Sequence, residues 1–219
     1  MIVITGASDG IGAAIARRLS KDHKVVLFGR DEDRLQKVAV DCGNADYYAF
    51  DINDSTERNK VVSSLKNVTV LINNAGVWHK TGDLDSISDD KINEVLQTNL
   101  VSQILLTKAL LPNLRNKEGS AIINVISKSG VTAQQGQTVY TASKYGMRGF
   151  TDVLRIDTKD DPIRIGAVYQ SGTNTDMFRK AGEDFPTDTF TEPEDLADVV
   201  TFMLSRPKNL WINEVRVEK

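Results

Sequence analysis

Three side chains near the middle of the chain could together transfer a proton. Tyr140 and Lys144 stand four residues apart in the run Tyr-Thr-Ala-Ser-Lys, and Ser127 lies thirteen residues before the tyrosine. Residues at i and i+4 share one face of a helix, so the Lys144 ammonium can approach the Tyr140 phenol and lower its pKa. Such a tyrosine can act as an acid or a base, while Ser127 holds a substrate carbonyl oxygen. Alone, the Tyr-x-x-x-Lys spacing is a weak signal, because ordinary surface pairs on helices share it.

A glycine-rich turn follows the first apolar run of the chain. Residues 2–4 read as a strand, residues 5–12 have the sequence Thr-Gly-Ala-Ser-Asp-Gly-Ile-Gly, and residues 13–19 have an apolar helical period. A strand, a glycine turn and a helix together present backbone N–H groups and the positive end of a helix dipole to a phosphate. The Gly-x-x-x-Gly-x-Gly spacing lacks a Gly-Lys-Ser/Thr ending and therefore favours a dinucleotide over ATP. A glycine-rich connector without a ligand is the alternative.

Together these motifs resemble the short-chain dehydrogenase/reductase family, in its ordinary single-domain branch. Residues 5–12 match the family's Thr-Gly-x-x-x-Gly-Ile-Gly cofactor loop, and residues 73–76, Asn-Asn-Ala-Gly, match its segment after the fourth strand. The resemblance covers most of the chain. The positions that match the family's catalytic tetrad are Asn99, Ser127, Tyr140 and Lys144.

The resemblance implies a role for each member of the tetrad. Tyr140 would be the general acid in carbonyl reduction and the general base in alcohol oxidation. Lys144 would lower the pKa of Tyr140 and bind the nicotinamide ribose, and Ser127 would orient the substrate oxygen. Asn99 would support a water that links Lys144 to solvent, and the hydride chemistry would belong to the cofactor.

The resemblance also implies a cofactor site at the ends of successive strands. In the glycine turn, Gly6 permits the tight bend, Gly10 lets the backbone approach a pyrophosphate, and Gly12 lets the helix pack against the strand. Asp51 matches the family's adenine-binding aspartate, with Ile52 against the ring. The full predicted set is Gly6, Ser8, Asp9, Gly10, Ile11, Gly12, Arg30, Asp51, Ile52, Asn74, Ala75, Gly76, Tyr140, Lys144, Ser171, Thr173 and Thr175.

The end of the second predicted strand bears on the choice between NAD and NADP. Gly29 occupies the position where NAD-specific family members carry an aspartate, and Arg30 matches the basic position of NADP users. The planar, charged fork of arginine suits a 2′-phosphate. Asp31 and Asp9 complicate this reading, and Arg30 could instead be a solvated charge before a helix. We therefore expect NADP(H) as the cofactor, with NAD possible.

The loop after the sixth predicted strand departs from the family pattern. The family commonly has Pro-Gly, three further residues and Thr, whereas residues 170–175 read Gln-Ser-Gly-Thr-Asn-Thr. Thr175 is retained and can still hydrogen-bond the nicotinamide carboxamide. Losing the proline and its glycine could change how the loop lies against the nicotinamide, and Gly172 could restore some freedom. Cofactor binding is therefore indicated more strongly than rapid turnover.

Substrate identity lies mainly in segments outside the motifs. Residues 134–139, 170–172 and the lid-like stretch 177–190 would border the pocket. These segments predict an apolar carbonyl compound or a small ketone/alcohol pair, although local packing would equally explain their aromatic residues. We expect His79 to be polar surface rather than a substrate contact, and His23 to be a surface turn residue. The bordering aromatic and histidine residues are Trp78, His79, Phe178, Phe185 and Phe190.

Strand-like and helix-like stretches alternate along the chain. This alternation predicts an α/β fold, a Rossmann-type doubly wound parallel sheet with helices on both faces. The predicted strands are residues 2–4, 24–28, 47–50, 68–73, 121–126, 164–169 and 211–217. The predicted helices are residues 13–19, 31–40, 55–65, 88–114 with a break near Asn99, 140–158 and 193–204.

Composition agrees with one domain over residues 1–219. The chain is 40% hydrophobic and 26% charged, and its net charge of −3 argues against a nucleic-acid-binding surface. Cys42 is the only cysteine and the two histidines are scattered, so we expect neither a disulfide nor a metal site. With no leader-like start and no apolar stretch of about 18 residues, we expect a cytoplasmic protein without membrane contact.

Two functions from different classes fit these observations. The first is an NADP(H)-dependent carbonyl reductase or alcohol dehydrogenase that acts on a small molecule, which the complete tetrad favours. The second is a nucleotide-sensing protein that kept the fold and lost useful turnover, which the altered loop at residues 170–171 favours. We also expect a homodimer or homotetramer, because the family often pairs subunits through the helix bearing Asn99 and the helix that follows Tyr140.

Overall fold

Within the described residues, seven short segments form strands, and the five between the two edge strands are apolar and largely buried. The seven strands are β1 (Ile2–Thr5), β2 (Val25–Gly29), β3 (Asp46–Ala49), β4 (Val70–Asn73), β5 (Ala121–Val125), β6 (Arg164–Gln170) and β7 (Glu214–Val217). The structure is a computed structural model that describes residues 1–207 and 209–219. All strands belong to one parallel sheet with the order β3-β2-β1-β4-β5-β6-β7. The strand order reverses beside β1, which creates a crevice at the carboxyl ends of β1 and β4.

Eight helices accompany the strands within the described residues. They are α1 (Gly10–Leu19), α2 (Glu32–Asp41), α3 (Ser55–Ser64), α4 (Asp89–Leu96), α5 (Ser102–Leu114), α6 (Thr138–Asp157), α7 (Met177–Lys180) and α8 (Pro193–Leu204). Side chains define several starts: Asp31 accepts from the Arg34 N–H at α2, and Asp54 accepts from the Thr56 N–H at α3. None of these helices is long and apolar enough to cross a membrane.

The two faces of the sheet carry separate apolar cores. Successive side chains of a strand point to opposite faces, so neighbours in β1 join different clusters. Ile4 packs in the cluster that contains Ile15 of α1 and Val200 of α8. Val3 packs in the cluster that contains Leu106 and Leu114 of α5. The predicted doubly wound sheet with helices on both faces is confirmed.

Most element boundaries agree with the sequence prediction within two residues, and four regions differ. α1 begins at Gly10 rather than residue 13, and the short helix α7 was not predicted. α4 and α5 do not break near Asn99 but continue through one π-helical turn, Gln97–Val101. The last strand begins at Glu214 rather than at residue 211. At residue 211 the contact with β6 is a side-chain hydrogen bond instead of backbone strand pairing. The Trp211 indole donates to the Ile165 carbonyl at 3.0 Å there.

A lid, defined as residues 174–190, follows β6 and contains α7. Its two ends meet at a short parallel bridge between Thr173 and Thr191. The Thr191 N–H donates to the Gly172 carbonyl at 3.0 Å, and the Asn174 N–H donates to the Thr191 carbonyl at 2.9 Å. The base of the lid is therefore fixed by backbone hydrogen bonds.

Candidate active site

The glycine turn between β1 and α1 is built so closely that side chains would not fit. Gly6 has a φ of +62°, and a Cβ there would lie 2.8 Å from the Ala75 Cα. A Cβ at Gly12 would lie 2.2 Å from the Gly6 carbonyl oxygen and 2.6 Å from the Asn74 Nδ2. The first turn of α1 therefore packs directly against the chain after β4, leaving an uncovered backbone cradle suited to a pyrophosphate.

The segment after β4 is tied to β1 and α5. The Thr5 hydroxyl accepts from the backbone N–H groups of Asn74 and Ala75, both at 2.9 Å. The Asn74 amide donates to the Thr5 carbonyl at 3.0 Å, and Gln103 donates to the Ala75 carbonyl at 2.9 Å. These bonds hold residues 74–76 beside the glycine turn.

A cavity of about 620 Å³ opens at the carboxyl ends of β1 to β4, beneath the lid. Its size falls in the ordinary range for ligand sites, and its position is the one at which doubly wound sheets bind ligands. The predicted cofactor residues that line it are Gly6, Ser8, Asp9, Gly10, Ile11, Arg30, Asp51, Ile52, Asn74, Ala75, Gly76 and Thr175.

The remaining predicted cofactor residues lie outside this lining. Gly12 is buried under the glycine turn, and Ser171 donates its N–H to the Val217 carbonyl at 2.9 Å. Thr173 is buried at the base of the lid, where its hydroxyl lies 3.3 Å from that of Thr191. Tyr140 and Lys144 are buried next to residues 76–78, since Lys144 Nζ would lie 3.8 Å from a Cβ at Gly76 and the Trp78 ring packs on Tyr140. The predicted residues of the glycine turn therefore line the cavity more completely than the predicted residues at the base of the lid, of which only Thr175 does so.

Charged side chains cluster where the glycine turn meets the end of β2. Arg30 is exposed and lines the cavity. Arg34 places Nη1 2.9 Å from the Asp9 carboxylate and Nε 3.2 Å from that of Asp31. Lys180 of the lid also pairs with Asp9. The sequence analysis did not identify Arg34 or Lys180. The position of Arg34, three residues after Asp31, could have indicated their ion pair, whereas no local pattern indicates the contact of Lys180 with Asp9.

The proton-transfer group is assembled as expected from its spacing. Tyr140 lies in the first turn of α6, and its phenol shares a hydrogen bond with the Ser127 hydroxyl. The Lys144 Nζ lies 5.5 Å from the Tyr140 ring centroid, and both side chains are buried. Ser127 has a φ of 147°, a conformation rare for a residue with a side chain, and its hydroxyl also accepts from the Ser129 N–H at 3.1 Å. Such strain is concentrated at functional positions.

The protonation of this group differs from the sequence prediction. Burial raises the pKa of Tyr140 to about 12, and the hydrogen bond with Ser127 opposes only part of that rise. Burial also lowers the pKa of Lys144 to about 8. The expected net lowering of the Tyr140 pKa is therefore wrong for the chain's own groups, because the loss of water around a phenolate outweighs nearby charge. At neutral pH the phenol is protonated.

Asn99 joins the group through the backbone after β4. Its Oδ1 accepts from the Val77 N–H at 2.7 Å, and its Nδ2 donates to the Val77 carbonyl at 2.9 Å. Nδ2 also lies 3.3 Å from the Ser143 hydroxyl, which donates to the Tyr140 carbonyl. A Cβ at Gly76 would lie 3.4 Å from the Asn99 Oδ1 and 3.8 Å from the Lys144 Nζ. All four tetrad positions therefore converge.

His79 is buried rather than on the surface, so that expectation is wrong. Its Nε2 accepts from the Tyr140 N–H at 3.2 Å, and its Nδ1 lies 2.9 Å from the Lys80 carbonyl, to which it donates. The first N–H groups of a helix lack partners within the helix, and His79 supplies one for α6. The side chain positions the tyrosine's backbone and is not available to a substrate. His23 is exposed in a turn, as expected.

An aromatic wall formed by Trp78, Phe178, Phe185 and Phe190 covers Tyr140. The Trp78 ring centroid lies 4.4 Å from that of Tyr140, and Phe178 lies 5.1 Å from Trp78. Phe185 and Phe190 pack against Phe178 at 5.0 and 5.7 Å. The four aromatic border residues are thus brought together in one cluster, and its Trp78 ring packs directly on Tyr140.

Two contacts fix the aromatic wall in place. Glu183 of the lid accepts from the Trp78 indole N–H and from the Thr81 backbone N–H, the latter at 2.9 Å. A Cβ at Gly172 would lie 2.7 Å from the Phe190 ring. The glycine of the altered loop is therefore needed for the close approach of this ring, which is a role that the sequence did not indicate.

Known proteins share both this sequence pattern and this geometry. A family model for short chain dehydrogenases matches residues 1–185. The chain belongs to the short-chain dehydrogenase/reductase family. It is 32% identical over 217 residues to 3-oxoacyl-(acyl-carrier-protein) reductase FabG of Rickettsia prowazekii, with 93% of this chain and 88% of that protein covered. It is 32% identical over 219 residues to carbonyl reductase family member 4 of Danio rerio, covering 94% and 92%.

A solved structure extends the likeness to three dimensions. The closed form of serine dehydrogenase complexed with NADP+ superposes with a TM-score of 0.92 at 28% identity, covering 99% of this chain and 94% of that one. The short-chain dehydrogenase/reductase fold is therefore shared over nearly the whole chain, and the predicted family resemblance is confirmed.

Proposed function

We propose that this short-chain dehydrogenase/reductase is an NADP(H)-dependent enzyme that interconverts a carbonyl compound and an alcohol, with Tyr140 as its general acid and base. The observation that carries the proposal is the grouping of the half-buried Ser127 with the buried Tyr140 and Lys144, next to Gly76 of the cavity at the carboxyl ends of the strands. The similarity to FabG, to a carbonyl reductase and to a dehydrogenase solved with NADP+ supports it.

The residues around the cavity fit NADP(H). The glycine turn offers a backbone cradle for the pyrophosphate, and Asp51 and Ile52 line the side at which the adenine would lie. Gly29 brings no acidic group that would compete with a 2′-phosphate, while Arg30 and Arg34 supply charged forks that match one. NAD remains a possible second cofactor, because its other parts would meet the same surfaces.

The chain's own groups would manage the proton. When bound, NADPH supplies the hydride. The Ser127 hydroxyl holds the carbonyl oxygen, and the Tyr140 phenol donates its proton to that oxygen as negative charge develops there. A phenol with a pKa near 12 is protonated at neutral pH, so the proton that this step needs is present on Tyr140. The nearby Lys144 ammonium stabilises the phenolate that remains after transfer.

A nucleotide-sensing protein with little turnover is the second candidate. Two observations favour it: the Trp78 ring lies against Tyr140, and Gln170 and Ser171 replace the family's Pro-Gly. A sensor, however, has no need for the buried Lys144, whose lowered pKa marks an energetic cost of burial. The enzyme therefore accounts for more of the site.

A substrate screen tests the proposal. NADPH oxidation is followed with a panel of aldehydes, ketones and quinones, chosen because the aromatic wall favours apolar carbonyl compounds. We expect turnover of at least one apolar ketone or aldehyde, with weaker activity on charged analogues of similar size. Tight NADPH binding without turnover of any panel member would favour the sensor instead.

We also propose that subunits pair through α5 and α6. Tyr145, Val153 and Ile156 expose 42%, 56% and 67% of their surface along one side of α6. The sequence of α5 also offers apolar residues at 104–106 and 110–111 for this contact, but Leu106 and Leu110 are buried in the subunit core. Light scattering at micromolar concentration should return a dimer or tetramer mass. The cytoplasmic location stays a prediction from the sequence.

A further inference from the structure

Asp9 stands between two cations that reach it from different elements. It lies just before α1, in the glycine turn. Arg34 approaches from α2 at 2.9 Å, and Lys180 approaches from α7 of the lid. All three side chains line the cavity. A single carboxylate at the cavity edge therefore holds one cation of the fixed scaffold and one cation of the lid.

This ion cluster lies at the adenosine end of the proposed cofactor site. A Cβ at Gly29 would lie 3.3 Å from the Ser8 Cβ, so the glycine turn touches the end of β2 beside Asp9. In doubly wound folds the residue at this strand end contacts the adenosine ribose, at the 2′ position that distinguishes NADP from NAD. The cluster therefore occupies the place where a 2′-phosphate would arrive.

We propose that Lys180 is a specificity-determining cofactor ligand, which contacts the 2′-phosphate of NADP(H) in place of Asp9. The inference rests on the proposed function and adds the lid to the groups that select the cofactor. A phosphate monoester carries more negative charge than a carboxylate and three acceptor oxygens, so it competes effectively for the same cations. Asp9 then holds Lys180 and Arg34 in a position from which they can turn to the phosphate.

The exposure of the pair makes such an exchange easy. The Lys180 side chain is 53% exposed and that of Asp9 is 38% exposed. Ion pairs this exposed contribute little to stability, so breaking one costs little. Asp9 also carries the sign that repels a phosphate, and this explains how an NADP site can tolerate an acidic residue in its glycine turn. Its charge is neutralised by the same side chains that bind the cofactor.

The same contact would couple the cofactor to the substrate side of the lid. Lys180 shares the short helix α7 with Phe178, whose ring packs on Trp78 above Tyr140. Glu183, three residues after that helix, accepts hydrogen bonds from Trp78 and Thr81. A 2′-phosphate bound by Lys180 would hold α7 from the cofactor side as well, whereas NADH would leave this second attachment unmade.

Equilibrium binding of four ligands to three variants tests the inference. Lys180→Met removes the proposed contact, and Asp9→Asn removes its competitor. Arg179→Met is the matched control, because Arg179 is the neighbouring lid cation, is 70% exposed and pairs with Asp176 of its own turn. The ligands are NADPH, NADH, adenosine 2′,5′-bisphosphate and 5′-AMP, and the measured quantity is the dissociation constant.

We expect Lys180→Met to weaken NADPH and adenosine 2′,5′-bisphosphate by about tenfold, the loss of one charge-assisted hydrogen bond. NADH and 5′-AMP should change by less than about twofold. Asp9→Asn should strengthen NADPH binding, because it frees both cations and removes a repulsion. Arg179→Met should change none of the four. Opposite effects of the two cluster variants distinguish ligand competition from a merely structural pair.

Three results would overturn the inference. An equal loss of NADPH and NADH in Lys180→Met would place the lysine on a phosphate common to both cofactors. A weakening of NADPH by both Lys180→Met and Asp9→Asn would show that the pair only holds the lid in place. Unchanged NADPH binding in Lys180→Met would show that Lys180 does not contact the 2′-phosphate, and the proposed function would be unaffected. Failure of the unmodified protein to bind NADPH would instead reject the proposed function, and the inference with it.

Discussion

The floor of the cavity and the lid above it are held by different kinds of interaction. The floor, defined as the glycine turn 6–12 and residues 74–76, is fixed by close backbone packing, such as the Gly6 carbonyl against Gly12, and by hydrogen bonds to the buried Thr5 hydroxyl. The lid is fixed above its base by side chains: the Phe178 ring, the Glu183 carboxylate and the Lys180 ammonium. The floor therefore suits a constant ligand part, and the lid can change with its ligand.

The difference has an energetic side. Changing a floor residue forces backbone to move, which costs several kcal/mol, because close-packed interiors do not yield locally. Lid contacts are partly exposed and individually contribute about 1 kcal/mol. The two regions should therefore respond to substitution on different scales, with global unfolding for the floor and local opening for the lid.

The largest effect should come from the floor. Gly12→Ala adds a methyl group 2.2 Å from the Gly6 carbonyl oxygen, and we expect it to lower the free energy of unfolding by about 3 kcal/mol or more. Gly149→Ala in α6 is the matched control, since nothing lies within 4 Å of its added Cβ. That helical substitution should stabilise by about 0.5–1 kcal/mol. Equal denaturant midpoints for the two variants would contradict the close packing of the floor.

A second effect of similar size should come from the buried ammonium between the two regions. The pKa of Lys144 is lowered from 10.5 to about 8, so its burial costs the folded state about 3 kcal/mol at pH 7. Lys144→Met should raise stability by up to that amount while abolishing activity. Below pH 8 the ammonium is charged in both states and the gain is full. Between pH 8 and 10.5 the folded protein releases its proton first, so the gain shrinks.

Urea unfolding from pH 6 to 10.5 measures this dependence. Lys37→Met, on the exposed side of α2, is the control and should show no such pH trend. A Lys144→Met protein less stable than the unmodified one at pH 7 would mean that the ammonium is better solvated or paired than its burial indicates.

The lid should show a smaller and local effect. Glu183→Gln replaces the charged acceptor of the Trp78 indole and of the Thr81 N–H, at a cost of about 1–2 kcal/mol to lid closure. Hydrogen exchange of residues 177–190 should quicken by about tenfold, while the free energy of global unfolding changes by less than about 1 kcal/mol. Asp184→Asn, the neighbouring exposed carboxylate, should leave exchange unchanged. A global loss of stability in Glu183→Gln would erase the distinction between lid and floor.

The contrast also explains what the sequence could predict. The floor was predictable because the glycines that form its turn are close together in the sequence. The spacing of Gly6, Gly10 and Gly12 indicates the turn directly. The alternation of apolar strands and amphipathic helices likewise predicted the parallel sheet and most of its boundaries. Tyr140 and Lys144 were found because their meeting depends only on helical periodicity.

The rest depends on contacts that have no local signature. Lys180 and Asp9 are 171 residues apart, and no pattern near either one indicates that they meet. His79 looked like a surface residue because its burial depends on where α6 begins. The pKa of Tyr140 was wrong in direction because the i,i+4 spacing reveals the neighbouring charge but not the aromatic wall that excludes water.

Tyr140→Phe tests the central proposal most directly. The change deletes only the hydroxyl, so NADPH affinity and fold should stay nearly unchanged, while single-turnover carbonyl reduction should slow by at least the roughly 10²–10⁴-fold contribution of a positioned acid. Tyr47→Phe, on the edge strand β3 and outside the cavity lining, is the matched control and should retain the full rate. A carbonyl substrate that Tyr140→Phe reduces at the unmodified rate would contradict the assignment of Tyr140 as the proton donor.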